Sequence, residues 1–175
     1  VYGENDHFTT GLAELMSVYP FIFFLPGIGE TYLQPLWVED LASLLTWLLD
    51  NEQWVNETLE IGGPEFLTIR QIAEEVMSFT GMRRYLVNLR PSYLRMVAMM
   101  LEYLYPGFPH SVYWLDYLAN DRTTDIDSVS RQFGLLPSRM SQNLNYLKGV
   151  KWRRRAMQAL RRKGPPSGPE INWSE

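Results

Sequence analysis

Apolar residues recur at helical spacing in four long stretches of the chain. Phe8, Leu12, Leu15, Met16 and Tyr19 predict a helix that Asp6 caps and Pro20 stops. Val38, Leu41, Leu44, Leu45, Leu48 and Leu49 share one face of a second, with Glu39 and Asp40 at its positive end. Thr68 and Gln71 form a capping box for a third, which carries Ile69, Ile72, Ala73, Val76 and Phe79 and ends at Gly81. Pro91 opens a fourth through Leu94, Leu101 and Leu104. Between them lie short runs of strand character: Phe21 to Leu25, Thr58 to Ile61, and Tyr85 to Asn88. Phe21 to Leu25 has no polar alternate, so the expectation is a strand covered on both faces. Tyr32 to Trp37 reads as extended, because Pro35 keeps Gln34 out of helical geometry.

Beyond the break at Pro106-Gly107-Phe108-Pro109, Val112 to Leu118 reads as a helix and Asp121 to Asp125 as a polar extended stretch. Asp127 is expected to cap a short helix ending at Gly134. Pro137-Ser138 is expected to open a last amphipathic helix through Met140, Leu144 and Leu147. Short apolar strands alternating with helices predict an α/β fold with a mainly parallel sheet.

Composition narrows the class. An apolar fraction of 46% with 21% charged residues is that of a soluble globular protein. With no cysteine there is no disulfide framework, thiolate metal site or Cys nucleophile. The longest apolar run, Leu41 to Leu49, is too short to cross a bilayer. These features predict a cytoplasmic protein.

The net charge of −4 conceals an asymmetry. Residues 1–150 carry nine basic and eighteen acidic residues, whereas residues 151–163 carry seven basic and no acidic ones. The expected organisation is therefore a body over 1–150 and a basic, then Pro/Gly-rich, tail over 151–175. As a helix, 151–163 would be a basic amphipathic segment suited to an anionic membrane surface or a protein partner, which makes the protein a candidate for peripheral membrane contact. The bland alternative is a solvated cationic end paired with the acidic body. Nucleic acid is a poor partner, since the body would repel phosphate.

Three stretches resemble the C-terminal half of an extended short-chain dehydrogenase/reductase. Val1-Tyr2-Gly3-Glu4-Asn5-Asp6 is similar to that family's V-Y-G-x-x-D turn. Phe24 to Thr31 followed by Gln34-Pro35-Leu36-Trp37-Val38-Glu39-Asp40-Leu41-Ala42 resembles its loop, strand and V-x-D helix start. Glu57 to Thr68 resembles its late strand leading to a substrate-side helix. Within the family, the likeness is to the atypical branch of epimerase/dehydratase-like and NmrA-like proteins, near the NAD(P)-binding accessory subunit of respiratory complex I.

The resemblance implies the C-terminal portion of a Rossmann-type NAD(P)-binding fold with a small, mostly helical substrate-side lobe. NAD or NADP would be held mainly by an N-terminal half lying upstream of Val1. No G-x-G-x-x-G occurs, since Gly27-Ile28-Gly29 lacks the third glycine. Leu144 and Leu147 stand where a Tyr-x-x-x-Lys pattern ending at Lys148 or Lys151 would need tyrosine. The chain alone is therefore not expected to transfer hydride. The alternative is a non-catalytic NAD(P)-binding assembly or sensor subunit.

The resemblance places Tyr2, Gly3, His7 and Phe8 at the border of the substrate cleft, and Tyr32 and Gln34 where the substrate loop returns. Each has a plainer reading: a first-turn polar residue for His7, a core anchor for Phe8, a turn residue for Gln34. Leu33 stands where sugar-nucleotide enzymes of the family carry a phosphate-gripping arginine, which speaks against a nucleotide sugar, while the aromatic and Met content points to a small hydrophobic substrate. Asp40 reads as a helix-dipole partner rather than an acid. His110 has no companions at metal-ligand spacing. Met96, Met99 and Met100 read as packing residues.

Overall fold

Local signals set most helix ends. The computed structural model describes residues 1–27, 29–104 and 121–161. The Asp6 carboxylate accepts the backbone N–H groups of Thr9 and Thr10 at 2.9 and 2.7 Å and so caps α1 (Thr9–Val18). α2 (Val38–Leu49) starts with Glu39 and Asp40 in its first turn. Thr68 and Gln71 exchange both bonds of the capping box at the head of α3 (Ile69–Thr80), which closes on Gly81 at φ +72°. α4 (Pro91–Leu104), α5 (Ser128–Phe133), α6 (Met140–Asn143) and α7 (Trp152–Arg161) follow, with a 3-10 turn, Leu144–Leu147, behind α6.

The strands form two small pairs. β1 (Ile22–Pro26) runs parallel to β4 (Tyr85–Leu89), with Phe24 opposite Val87. β2 (Tyr32–Leu33) and β3 (Leu67–Thr68) are antiparallel. Parallel bridges join Tyr2 to Trp37 and Leu33 to Arg122. The fold is thus mixed α/β with a small parallel sheet, less regular than the mainly parallel sheet expected. The main core gathers Met16 of α1, Leu25 of β1, Ile72 and Val76 of α3, and Leu144 and Leu147. A second cluster sits under α2, where Trp47 and Trp54 pack on Phe133 with ring centroids 5.4 and 5.5 Å apart.

Five expectations are corrected. The run from Phe21 to Leu25 is a strand covered on one face only. Phe23 and Leu25 point into the core, while Phe21, at 74% exposure, with Ile22 and Phe24, faces outward. Among the described residues these outward side chains keep their exposure. Thr58 to Ile61 is not a strand. Leu59 and Ile61 pack on the cluster under α2 instead, and the backbone bond to the extended Gln34-Pro35 segment comes only after them, from the Gly63 N–H to the Gln34 carbonyl. The helix expected from Pro137 begins only at Met140, because Arg139 is still extended at ψ 151°; Asp40 accepts the Ser138 N–H just before it at 2.7 Å. Met96, Met99 and Met100 are exposed rather than packed. Asp127 precedes α5 but makes no side-chain cap, and its carboxylate pairs with Arg131 at 3.8 Å instead.

The basic segment is part of the body as far as it is described. α7 lies against α1 and buries Trp152 and Ala156. The Trp152 indole donates to the Leu147 carbonyl at 3.1 Å, and Arg155 pairs with Glu14 at 2.6 Å. Trp152 and Ala156 of this amphipathic helix are therefore covered by protein, while Met157 stays half exposed. The helix expected over 112–118, His110 and the Pro/Gly-rich stretch after 161 lie outside the described residues. No described helix is long and apolar enough to cross a membrane.

Candidate functional site

The six residues expected at the cleft do not all meet. Tyr2, Phe8 and Gln34 line one pocket of about 100 Å³ together with Val1, Leu33, Pro35 and Arg122. The Tyr2–Trp37 bridge carries two bonds that set this wall: the Tyr2 N–H donates to the Leu36 carbonyl and the Val38 N–H to the Tyr2 carbonyl, both at 3.0 Å. Gly3 stands behind the wall, where its missing side chain admits the start of α2; a Cβ there would lie 2.5 Å from Val38 Cγ1. His7 is exposed on the turn before α1 and does not line the pocket. The Tyr32 side chain is also exposed and outside it; its backbone N–H donates to Asp121 Oδ1 at 2.8 Å.

Gln34 is fully engaged by protein. Its Nε2 donates to the Gly63 carbonyl at 2.8 Å and reaches the Asp125 carbonyl at 3.5 Å, and its Oε1 accepts the Thr124 N–H at 2.7 Å. The amide ties three segments together and has little left to offer a ligand. Asp40 also works as a tie. It accepts the Ser138 N–H at 2.7 Å and faces the Ser138 hydroxyl at 3.4 Å, so its role exceeds that of a dipole partner.

Two participants were not singled out in the sequence. Arg122 comes to the pocket through its bridge to Leu33, across a separation no local pattern reveals. It places a cation beside the position whose missing arginine argued against phosphate. Tyr146 stacks on Trp37, ring centroids 5.9 Å apart, and Trp37 in turn lies 5.3 Å from Tyr2. The Tyr146 and Thr9 hydroxyls are 2.6 Å apart, and Thr9 Oγ1 lies 2.9 and 3.0 Å from the two Asp6 oxygens. A carboxylate only accepts, so Thr9 donates to Asp6 and Tyr146 donates to Thr9. This chain of hydroxyls locks the turn before α1 to the Leu144–Leu147 segment.

Burial dominates the electrostatics of both tyrosines. It raises the phenols of Tyr2 and Tyr146 far above their usual value. Asn143 and Thr9, respectively, oppose this, while nearby carboxylates add to it. The Tyr2 hydroxyl faces the Asn143 amide, but neither buried group completes a well-formed hydrogen bond among the described residues. These shifts fix the sign of an alkaline response. Above about pH 10 the unfolded chain releases both phenolic protons while the folded chain keeps them, so stability falls as pH rises. These two phenols should contribute a slope of about 2.7 kcal/mol per pH unit, half from each, on top of that from Tyr19, which burial also raises, measured by urea unfolding against pH. Tyr146→Phe should remove its half; an unchanged slope in that variant would contradict the assignment.

No family model matches the chain, and no curated protein is significantly similar to it. Among solved structures, the crystal structure of gox2253 is similar over 84% of this chain and 43% of its own, with a TM-score of 0.52 at 20% identity. MlghC, a GDP-mannoheptose C4 reductase from Campylobacter jejuni with NADP bound, aligns over 81% of this chain and 41% of its own, at a TM-score of 0.49 and 12% identity. DdhaC aligns over 90% and 51%, at 0.49 and 14%. The likeness to gox2253 shows a shared α/β fold. The chain spans about half, or less, of the length of each of these structures.

Proposed function

We propose that these residues form the substrate-side portion of an NAD(P)-dependent reductase of the short-chain dehydrogenase/reductase type. The cofactor would be held mainly by a part of the natural protein outside them. The observation that carries this reading is the pocket, where Tyr2 and Phe8 of the V-Y-G turn meet Leu33, Gln34 and Pro35 of the returning loop. The fold shared with a chain about twice as long supports it, as does the order of the three resembling stretches.

The pocket's chemistry is that of a binding wall. Val1, Phe8, Leu33 and Pro35 give it an apolar lining, and Arg122 gives it one charge. Such a wall orients a small, mainly apolar substrate with an anionic or strongly polar end. Trp37 and the buried phenols behind it hold the wall rigid. Hydride would come from the nicotinamide, and nothing in this portion replaces it.

A second reading, a non-catalytic NAD(P)-binding subunit of an assembly, draws support from Gln34. Its amide, the natural hydrogen-bonding group of the cleft, is consumed by Gly63 and Thr124. NADPH oxidation by the natural full-length product, assayed over a panel of carbonyl compounds, separates the two. The enzyme reading expects turnover, with Phe8→Ala raising KM by about tenfold, the equivalent of roughly half a buried side chain. Cofactor binding without turnover on any carbonyl supports the assembly reading. Turnover with a KM indifferent to Phe8→Ala removes the pocket from the account.

A further inference from the structure

A groove of about 720 Å³ opens at the far ends of α1 and α3, where the first turn of α7 passes between them. Its floor is apolar, made by Val18, Pro20, Met82 and Met157. Its charged lining is all of one sign: Arg84, Lys151, Arg153 and Arg154, with no acidic side chain. Arg84 is held in place by bonds to the Met16 carbonyl at 3.1 Å and the Arg83 carbonyl at 2.8 Å. Lys151, Arg153 and Arg154 are exposed and make no ion pair with a described residue. Arg155, in contrast, points inward to Glu14.

This groove continues into the uncovered side of the sheet. Pro20 lines the groove and Phe21 follows it; Arg84 lines the groove and Tyr85 follows it. Phe21 and Tyr85 are themselves joined, the Tyr85 N–H donating to the Phe21 carbonyl at 2.9 Å. From there Ile22 and Phe24 of β1 stand beside Tyr85 and Val87 of β4, all exposed. A run of exposed apolar side chains thus ends at a cluster of cations, on a body that is otherwise strongly acidic.

We propose that this combined face docks on the surface of an anionic phospholipid bilayer. The cations of the groove take the lipid phosphates, and Phe21, Ile22 and Tyr85 enter the headgroup layer. Charge selects this occupant. A patch of exposed apolar residues alone fits many partners, but one fringed by four like cations fits a surface that is apolar beneath and anionic above. The contact differs from that of a basic amphipathic helix lying in the interface, because Trp152 and Ala156 are spent on α1. The docking surface is instead assembled from β1, β4 and the first turn of α7.

Co-sedimentation of the purified protein with vesicles tests this. Vesicles of phosphatidylcholine alone are compared with vesicles in which about a third of the lipid is phosphatidylglycerol. The protein should follow the anionic vesicles only and be released by salt. Each basic residue near such a surface is worth about fivefold in partitioning, so the triple variant Lys151→Gln, Arg153→Gln, Arg154→Gln should partition about a hundredfold less. Phe21→Ser should cost about tenfold and leave the salt dependence unchanged. These side chains are exposed, and an unaltered thermal melt confirms that the variants fold. The proposal is overturned by equal binding to both vesicles, by no binding to the anionic ones, or by wild-type partitioning of the triple variant. Release by inorganic phosphate at matched ionic strength would point to a free-anion pocket instead. Capture of duplex DNA in place of vesicles would make the face a nucleic-acid surface.

Discussion

Gly63→Ala is expected to destabilise the fold by about 3 kcal/mol or more, the upper end of what overpacking costs. The Cβ would fall on the Pro35 carbonyl group and within 3.3 Å of the Leu36 N. These are backbone atoms of a segment fixed on both sides. Gln34 is held by its bonds to Gly63 and Thr124, and the Leu36 carbonyl by the Tyr2 N–H. Moving Pro35 therefore pulls on the Tyr2–Trp37 bridge and opens the pocket wall. The neighbouring Gly62→Ala is the control. The nearest atoms to its Cβ would be those of the Gln34 side-chain amide, which can swing away once its bonds break. A loss of about 2 kcal/mol is expected there. Urea unfolding of the two variants measures both; Gly63→Ala within about 0.5 kcal/mol of the parent protein would show that the two segments do not touch.

Trp152→Ala is expected to remove roughly 3–5 kcal/mol, a large part of the stability of any domain this size. The indole is 5% exposed, sits in the main core, and covers Leu147, to whose carbonyl its N–H donates. The Arg155 guanidinium lies 5.5 Å over the ring while binding Glu14. Truncation leaves a cavity beneath α7, strands that carbonyl and loosens the Arg155–Glu14 pair. A solvated tail would give a change near zero. The unfolding midpoint in urea decides between them, and a shift below about 0.5 kcal/mol would mean that α7 is not part of the body.

The residues that could be read in advance were those whose cause is local. Thr68, Gln71 and Gly81 fix both ends of α3 through bonds within a few residues. Gly134 ends α5 in the left-handed region, and Pro91 starts α4 where its missing N–H costs nothing. Asp6 capped α1 as its position suggested. What stayed hidden was set by distant partners. Thr58 to Ile61 has the residues of a strand, but Leu59 and Ile61 are drawn to the distant cluster of Leu44, Val129 and Phe133. Asp40 owes its role to Ser138, 98 residues away, and Arg122 is brought to the pocket by its bridge to the Tyr32–Leu33 strand.

The grouping of the candidate residues was legible in part. Tyr2, Phe8 and Gln34 do share a pocket, because the bridge to Trp37 and the extended Pro35 segment bring two resembling stretches together. His7 and Tyr32 lie outside it, since one sits on an open turn and the other alternates outward from Leu33. The two-faced strand failed for a related reason. Continuous apolar sequence shows that both sides of β1 avoid water in some setting, but not which neighbour covers each.

The most direct test of the central claim is a titration with NADPH, followed by the fluorescence of the bound nicotinamide. It is run on the natural full-length product and on the 175-residue chain. Saturable binding by the full-length product and none by the 175 residues is the predicted result. Tight binding by the 175 residues alone, or none by the full-length product, would contradict the claim that this chain walls the substrate side of a nicotinamide-dependent protein.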